Sequence, residues 1–221
     1  MELLNLDVVR EYGGALLQGL AITVVLTFIV ITIALVLAIP VALIRMSPIF
    51  LLRTIGSIYV EVIRGTPLLL QLAYIYYVMP GFGLNLDPFS AAILGLSLNY
   101  TAYMSEVYRG GILAVPKHQW EAAATVGMTK AVAFYRIILP QALRIVTPTL
   151  GNYFISLFKD TSLASVIAVP ELTYGANWIK TNTFRAVEVW IVAAPIYLVT
   201  GYAILAALRL LERRLIVDRR P

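Results

Sequence analysis

Glu121 to Pro140, EAAATVGMTKAVAFYRIILP, is a polar, helix-prone island in a chain that is otherwise soluble in a membrane, and the rest of the sequence is organised around it. Its order is Glu121-Ala122-Ala123, three residues, Gly127, nine residues, Ile137, then Leu139-Pro140. Lys117 to Val126 reads as a short helix with an alanine-rich face. Gly127 should stop it, because glycine takes the left-handed cap conformation without penalty. Thr129 can cap a second helix, expected to end at Leu139 because the residue before Pro140 is pushed away from helical angles. Three small side chains, Ala122, Ala123 and Ala124, beside one carboxylate suit a helix that lies deep in another protein's groove. An amphipathic helix resting on lipid, or a plain connector, is the other reading of these residues alone.

Outside this island the chain is too apolar for an ordinary soluble domain: 60% of its 221 residues are hydrophobic and 13% are charged. A polytopic, all-α membrane protein is expected. The absence of cysteine removes disulfides, thiolate metal sites and cysteine nucleophiles, and the lone His118 cannot build a metal cluster unaided. A net charge of +5 in so apolar a chain points to the positive-inside rule rather than to nucleic acid. The opening MELLNLDVVREYGG has acidic residues where a signal peptide would be basic, and reads as the approach to an uncleaved span.

Five spans are expected. The first runs from about Ala15 to Ile44, enough to cross a hydrocarbon core of about 30 Å. Ser47 and Pro48 should cap and open the second, which continues to Val78 with a kink at Pro67 inside Arg64-Gly65-Thr66-Pro67. Asp87-Pro88 opens the third, to about Tyr108 before Gly110-Gly111. The fourth extends from about Ala142 to Val169, a mostly polar connector covers Pro170 to Thr183, and the fifth covers Val187 to Leu211, followed by a basic tail. All of this forms one transmembrane domain over residues 1–221, with a loop at about 112–140.

The cations decide sidedness. With that loop in the cytoplasm, Arg45, Arg53, Arg109, Lys117, Lys130, Arg136, Arg144, Arg209, Arg213, Arg214, Arg219 and Arg220 share its side, against Arg10, Lys180 and Arg185 on the other. The N-terminus is therefore expected outside and the C-terminus in the cytoplasm.

Within the spans, Glu61, Arg64, Glu106, Lys159 and Asp160 each cost several kcal/mol in lipid, so they must face the bundle interior or water. Glu61 and Arg64, at i and i+3, form either an intrahelical ion pair or a gate. Lys159 and Asp160 point about 100° apart and need separate partners. Asn99, Tyr103 and Glu106 recur at i, i+4 and i+7, one stripe on the third span. With Asp160, Thr161 and Ser162 they offer carboxylates to a cation and hydroxyl or amide donors to an anion, which suits a zwitterion. A ligand-free clasp of hydrogen bonds between helices is the competing reading.

The spacing of the 121–140 stretch resembles the EAA loop of ATP-binding cassette importers, carried by their permease subunits. Arg64-Gly65-Thr66-Pro67-Leu68-Leu69-Leu70-Gln71, the Asn99 to Arg109 segment with Gly110-Gly111, and Lys159-Asp160-Thr161-Ser162-Leu163 are similar to the polar amino acid branch of that family. The resemblance implies a type I importer fold of five transmembrane helices in the bacterial inner membrane. It implies a second permease subunit, two cytoplasmic ATPase subunits that bind ATP and magnesium, and an extracytoplasmic solute-binding protein. It also implies ATPase coupling through Glu121, Ala122, Ala123, Gly127, Leu139 and Pro140. A substrate site at Asn99, Tyr103, Glu106, Asp160, Thr161 and Ser162 follows from the same branch. No phosphate-loop glycine-lysine motif occurs, so no cofactor, metal or catalytic residue is expected in this chain. An ion-coupled transporter, or a membrane hydrolase using Glu106 and Asp160, is the alternative in another class.

Overall fold

The apolar run after Arg10 forms α1 (Asp7–Arg45), a helix whose Ala34, Ala38 and Ala42 are buried one turn apart. In the computed structural model residues 7–216 are described, with side chains for residues 10–210; the opening segment and the basic tail (Arg213, Arg214, Arg219, Arg220) lie outside the described side chains. Small residues at one-turn spacing let helices approach closely where lipid supplies no hydrophobic drive. They share one core with Ala91, Ala92 and Leu96 of α4 (Pro88–Ala114), the helix against which α1 packs most extensively. Buried hydroxyls on α1 are satisfied within the helix, Thr23 and Thr27 each donating to the carbonyl four residues back at 3.0 and 2.7 Å.

The start of the second span differs from expectation. Ser47 accepts from the Ile49 N–H at 3.1 Å and so closes a turn, and α2 (Phe50–Gly65) begins two residues later with Ile49 as its cap. Nor is this span merely kinked: α2 and the segment Leu68–Phe82 meet at 105°. Thr66 and Pro67 are both extended, with ψ of 143° and 135°, because proline excludes its predecessor from helical angles. α3 (Leu68–Ala73) then passes through a π-turn, Tyr74–Val78, and a short 3₁₀ turn, Met79–Phe82.

Asp87 caps α4 as expected, its carboxylate accepting from Phe89 and Ser90 N–H at 3.0 and 3.1 Å. The helix runs six residues past Tyr108, through Gly110-Gly111 to Ala114. Gly111 serves approach rather than termination, since a Cβ there would meet the Val146 side chain and the Ala142 carbonyl of the neighbouring helix.

α5 (Lys117–Thr125) ends as the sequence predicts. Gly127 takes φ +77°, its N–H reaches Ala124 O at 3.0 Å, and Met128 N–H reaches Ala123 O at 3.0 Å, the paired bonds of a Schellman cap. Thr129 caps α6 (Lys130–Ala133) through Val132 N–H. The expected stop at Leu139 does not occur. A π-turn over Phe134–Ile138, in which Leu139 N–H reaches Phe134 O, widens the helix so that Pro140 fits, and α7 (Leu139–Asp160) continues without interruption. The same device precedes Pro80, where Met79 N–H reaches Tyr74 O.

Beyond Asp160 the chain tightens into a 3₁₀ segment, Thr161–Ile167, rather than extending the helix to Val169. The expected polar connector is α8 (Leu172–Thr183), capped by a fully buried Glu171 that accepts from Thr173 and Tyr174 N–H and from the Tyr197 hydroxyl. α8 lies tightly on α1: a Cβ on Gly19 would sit 2.9 Å from Leu172 Cα. α9 (Ala186–Ile216) completes the bundle.

Among the described residues α1 and α9 are long and apolar enough to cross a membrane, and the broken α2–α3 pair adds a third. The 27-residue α4 and 22-residue α7 reach span length, but their polar side chains lower their apolarity, and those side chains build the interior.

Candidate functional site

Where the α2–α3 break faces α4 and α7, it leaves a cavity of about 510 Å³. That volume lies within the range of small-molecule sites. Its walls are Arg64 to Leu68 from the break, Asn99, Tyr100 and Tyr103 from α4, and Tyr153, Ser156 and Asp160 from α7. Such a break leaves backbone carbonyls that must be satisfied inside the protein. Gln71 satisfies them: its amide donates to Ile63 O at 2.7 Å, Thr66 O at 3.1 Å and the Thr66 hydroxyl at 2.7 Å, while its oxygen accepts from Asn99 at 2.9 Å. Asn99 thus lines the cavity and at the same time ties α4 to the break.

Asp160 is the one carboxylate on the cavity wall. Its Oδ2 accepts from the nearly buried Tyr100 hydroxyl at 2.7 Å, and no cation of the described residues pairs with it. Tyr153 packs against Tyr100 and Tyr103, with ring centroids 6.3 and 6.0 Å apart, and the Arg64 guanidinium lies over Tyr103 at 5.1 Å. Tyr103 is one turn along α4 from Tyr100, so Arg64 and Asp160 stand at different depths, opposite charges separated by tyrosine rings.

The other sequence-predicted residues fall elsewhere. Glu106 lies two turns beyond Asn99, about 10 Å along the axis, and below the cavity. It is held by Arg45, by Arg109 at 3.0 Å and loosely by Arg64 at 3.9 Å. The Arg45 contact is an ion pair without hydrogen-bond geometry. The intrahelical pair of Glu61 with Arg64 does not form; Glu61 is exposed, and Arg64 turns to Glu106. Lys159 is exposed in a separate apolar groove beside Phe158, Trp190 and Tyr202 of α7 and α9. Thr161 is buried, donating to Phe158 O, and Ser162 offers its carbonyl to Ser165; neither lines the cavity. With Glu106 saturated by guanidinium groups, Glu106 and Asp160 do not make the facing carboxylates that a hydrolase would use.

Tyr100, Tyr153, Ser156 and Gln71 were not singled out in the sequence. Three of them had a signal: Tyr153 and Ser156 stand with Asp160 at i, i+3 and i+7, and Tyr100 stands three residues before Tyr103, the same stripe rule that selected Asn99 and Tyr103. Gln71 stood in the sequence only as the last residue of the Arg64–Gln71 run, because its role exists only once the helix breaks.

At the other ends of α4 and α7 the hairpin α5–α6 is built into the bundle. Ile112, Val115, Ile138 and Ala142 form a small core with Trp120 and Phe134, whose rings stack at 6.5 Å, and Gln119 accepts from Gln141 at 3.2 Å. Ala123 is buried, leaving Glu121, Ala122 and Gly127 exposed with Val126 and Tyr135. The hairpin that projects is thus continuous with the two helices that wall the cavity.

A helical membrane bundle with a polar interior cavity, joined rigidly to a projecting hairpin, defines a transport subunit that another protein drives. The chain belongs to the family of binding-protein-dependent transport system inner membrane components, whose family model matches residues 34–217. It is 45% identical over 211 residues to the L-cystine transport system permease protein TcyB of Bacillus subtilis (strain 168), covering 95% of this chain and 90% of that one. To the glutamine transport system permease protein GlnP of Escherichia coli (strain K12) it is 40% identical over 163 residues, 73% and 74% of the two chains. A crystal structure of an amino acid ABC transporter with histidines superposes with a TM-score of 0.86 at 41% identity, over 93% and 96% of the chains. The inward-facing MetNI methionine transporter, at 20% identity and a TM-score of 0.79, shares the fold. The chain is accordingly a membrane permease subunit that works with ATPase and binding-protein partners, and ATP hydrolysis resides in those partners.

Proposed function

We propose that this permease carries a polar α-amino acid inward, and that Asp160 in the cavity receives its ammonium group. A carboxylate inside a tyrosine-lined cavity, paired by no cation of the described residues, is the observation that carries the reading. The names of the cystine and glutamine permeases support the substrate class. Two permease subunits, two ATPases on the cytoplasmic side and one extracytoplasmic binding protein make up the assembly we infer. Glu121, Ala122 and Gly127 present the docking helix; Ala123, expected to face the partner, is instead buried in this chain and anchors that helix, and Leu139 and Pro140 carry its motion into α7. Proteoliposomes holding the whole complex should accumulate a labelled amino acid only with ATP inside and binding protein outside. Uptake that persists without ATP and collapses with an ionophore would instead establish ion coupling.

The hairpin's cations support a cytoplasmic position for it, with the N-terminus outside. Thr129→Cys, in a chain with no native cysteine, should resist a membrane-impermeant maleimide in intact cells and react in inverted vesicles. Labelling from outside would reverse the orientation.

Coupling rests on the Gly127 turn. Gly127→Val forces a β-branched residue to φ +77°, a strain of about 1–3 kcal/mol that the exposed hairpin can relieve by changing its angle. The inserted complex should survive while amino acid uptake per ATP hydrolysed falls about ten-fold or more. Unchanged uptake per ATP would show that the turn does not set the docking geometry.

A further inference from the structure

Resting on that reading, the geometry points to Arg64 as the residue that recognises the cargo's carboxylate. Three guanidinium groups converge on Glu106, and they are not held equally. Arg109 donates two hydrogen bonds to the carboxylate and Arg45 is paired with it, whereas Arg64 reaches it only at 3.9 Å, beyond hydrogen-bond distance. Glu106 is thus already committed, and Arg64 is the surplus cation. Its side chain is 43% exposed, against 13% for Arg45, and it borders the cavity where Asp160 also stands.

Its surroundings fix where it points. It is the last arginine of α2 before the 105° break, and its guanidinium lies over the ring of Tyr103, itself part of the cavity wall, on the side from which it also approaches Glu106. Glu61, the one carboxylate on α2, makes no ion pair with it. Guanidinium suits this task because its planar fork meets a carboxylate through two parallel hydrogen bonds. A zwitterion lying along the tyrosines Tyr100 and Tyr103 then meets an anion at one end and a cation at the other, and an amine without a carboxylate meets only half of the site. Binding the cargo costs Arg64 little, since its hold on Glu106 is weak and Arg45 and Arg109 keep that carboxylate neutralised.

The test is direct binding to the purified permease–ATPase complex by calorimetry, with the proteinogenic amino acids and L-cystine as probes and then the carboxamide of the tightest binder. Wild type should favour the acid over its amide by about ten-fold or more, the worth of a charge-assisted bidentate contact. Arg64→Gln should bring that ratio near one while amide affinity stays within a few-fold, and Arg64→Lys should restore part of it. A ratio cannot be erased by mere loosening of the helix break, which would weaken acid and amide together. Asp160→Asn separates the two layers: it should weaken acid and amide alike. If the acid preference survives Arg64→Gln while Asp160→Asn weakens both, the Arg64 assignment is wrong and the site reading stands. If no amino acid binds, or Asp160→Asn changes neither affinity, the site reading fails and this inference with it.

Discussion

Asp160→Asn in the assembled importer is expected to cut amino acid uptake by about 10- to 100-fold while the complex remains folded. The size follows from removing a charge-assisted hydrogen bond inside the membrane, worth about 1.5–3 kcal/mol. Folding is spared because the amide oxygen can still accept from the Tyr100 hydroxyl, so the join between α4 and α7 persists, and no buried cation is left without its anion. Uptake in proteoliposomes, read beside the thermal half-life of the purified complex, checks both halves. A shortened half-life with unchanged uptake per folded complex would make Asp160 a clasp between helices, not a ligand.

Glu106→Gln should do the reverse, injuring the fold first. The carboxylate joins α4 to α1 through Arg45, pairs with Arg109 of its own helix and approaches Arg64 of α2, and its neutral isostere leaves those guanidinium groups facing one another. Removing one partner of a buried pair costs about 3–5 kcal/mol. With Glu106 21% exposed and Arg109 35% exposed, the lower end applies. Complexes of this size unfold irreversibly, so the measure is a rate: the half-life in detergent at fixed temperature should fall on the order of a hundredfold if the loss acts on the barrier. An unchanged half-life would mean that water already shields the arginines.

These two carboxylates were indistinguishable in the sequence. Helical period puts Asn99, Tyr103 and Glu106 on one face, and that face does turn inward; the period says nothing of depth, and two turns of rise carry Glu106 out of the cavity into a cluster of arginines. One partner, Arg109, stands three residues on in the same helix and was legible as a local pair; the other two come from α1 and α2, and ion pairs between separate helices leave no local trace. The expected Glu61–Arg64 pair failed for the same reason, a local spacing rule losing to a better anion on another helix.

What the sequence determined by itself is whatever depends on neighbours along the chain: an all-helical membrane bundle from its composition, the Gly127 Schellman turn, the Thr129 and Asp87 caps, and a discontinuity at Thr66-Pro67. What only the tertiary structure decided is how each interruption resolves. Pro67 opens a 105° corner because Gln71, held in place by Asn99, is there to take up the freed carbonyls of Ile63 and Thr66, while Pro140 passes inside a continuous helix because a π-turn opens before it. Both prolines remove the same N–H and disfavour the same angles, and the difference lies in which distant groups satisfy the freed backbone once the helices have packed.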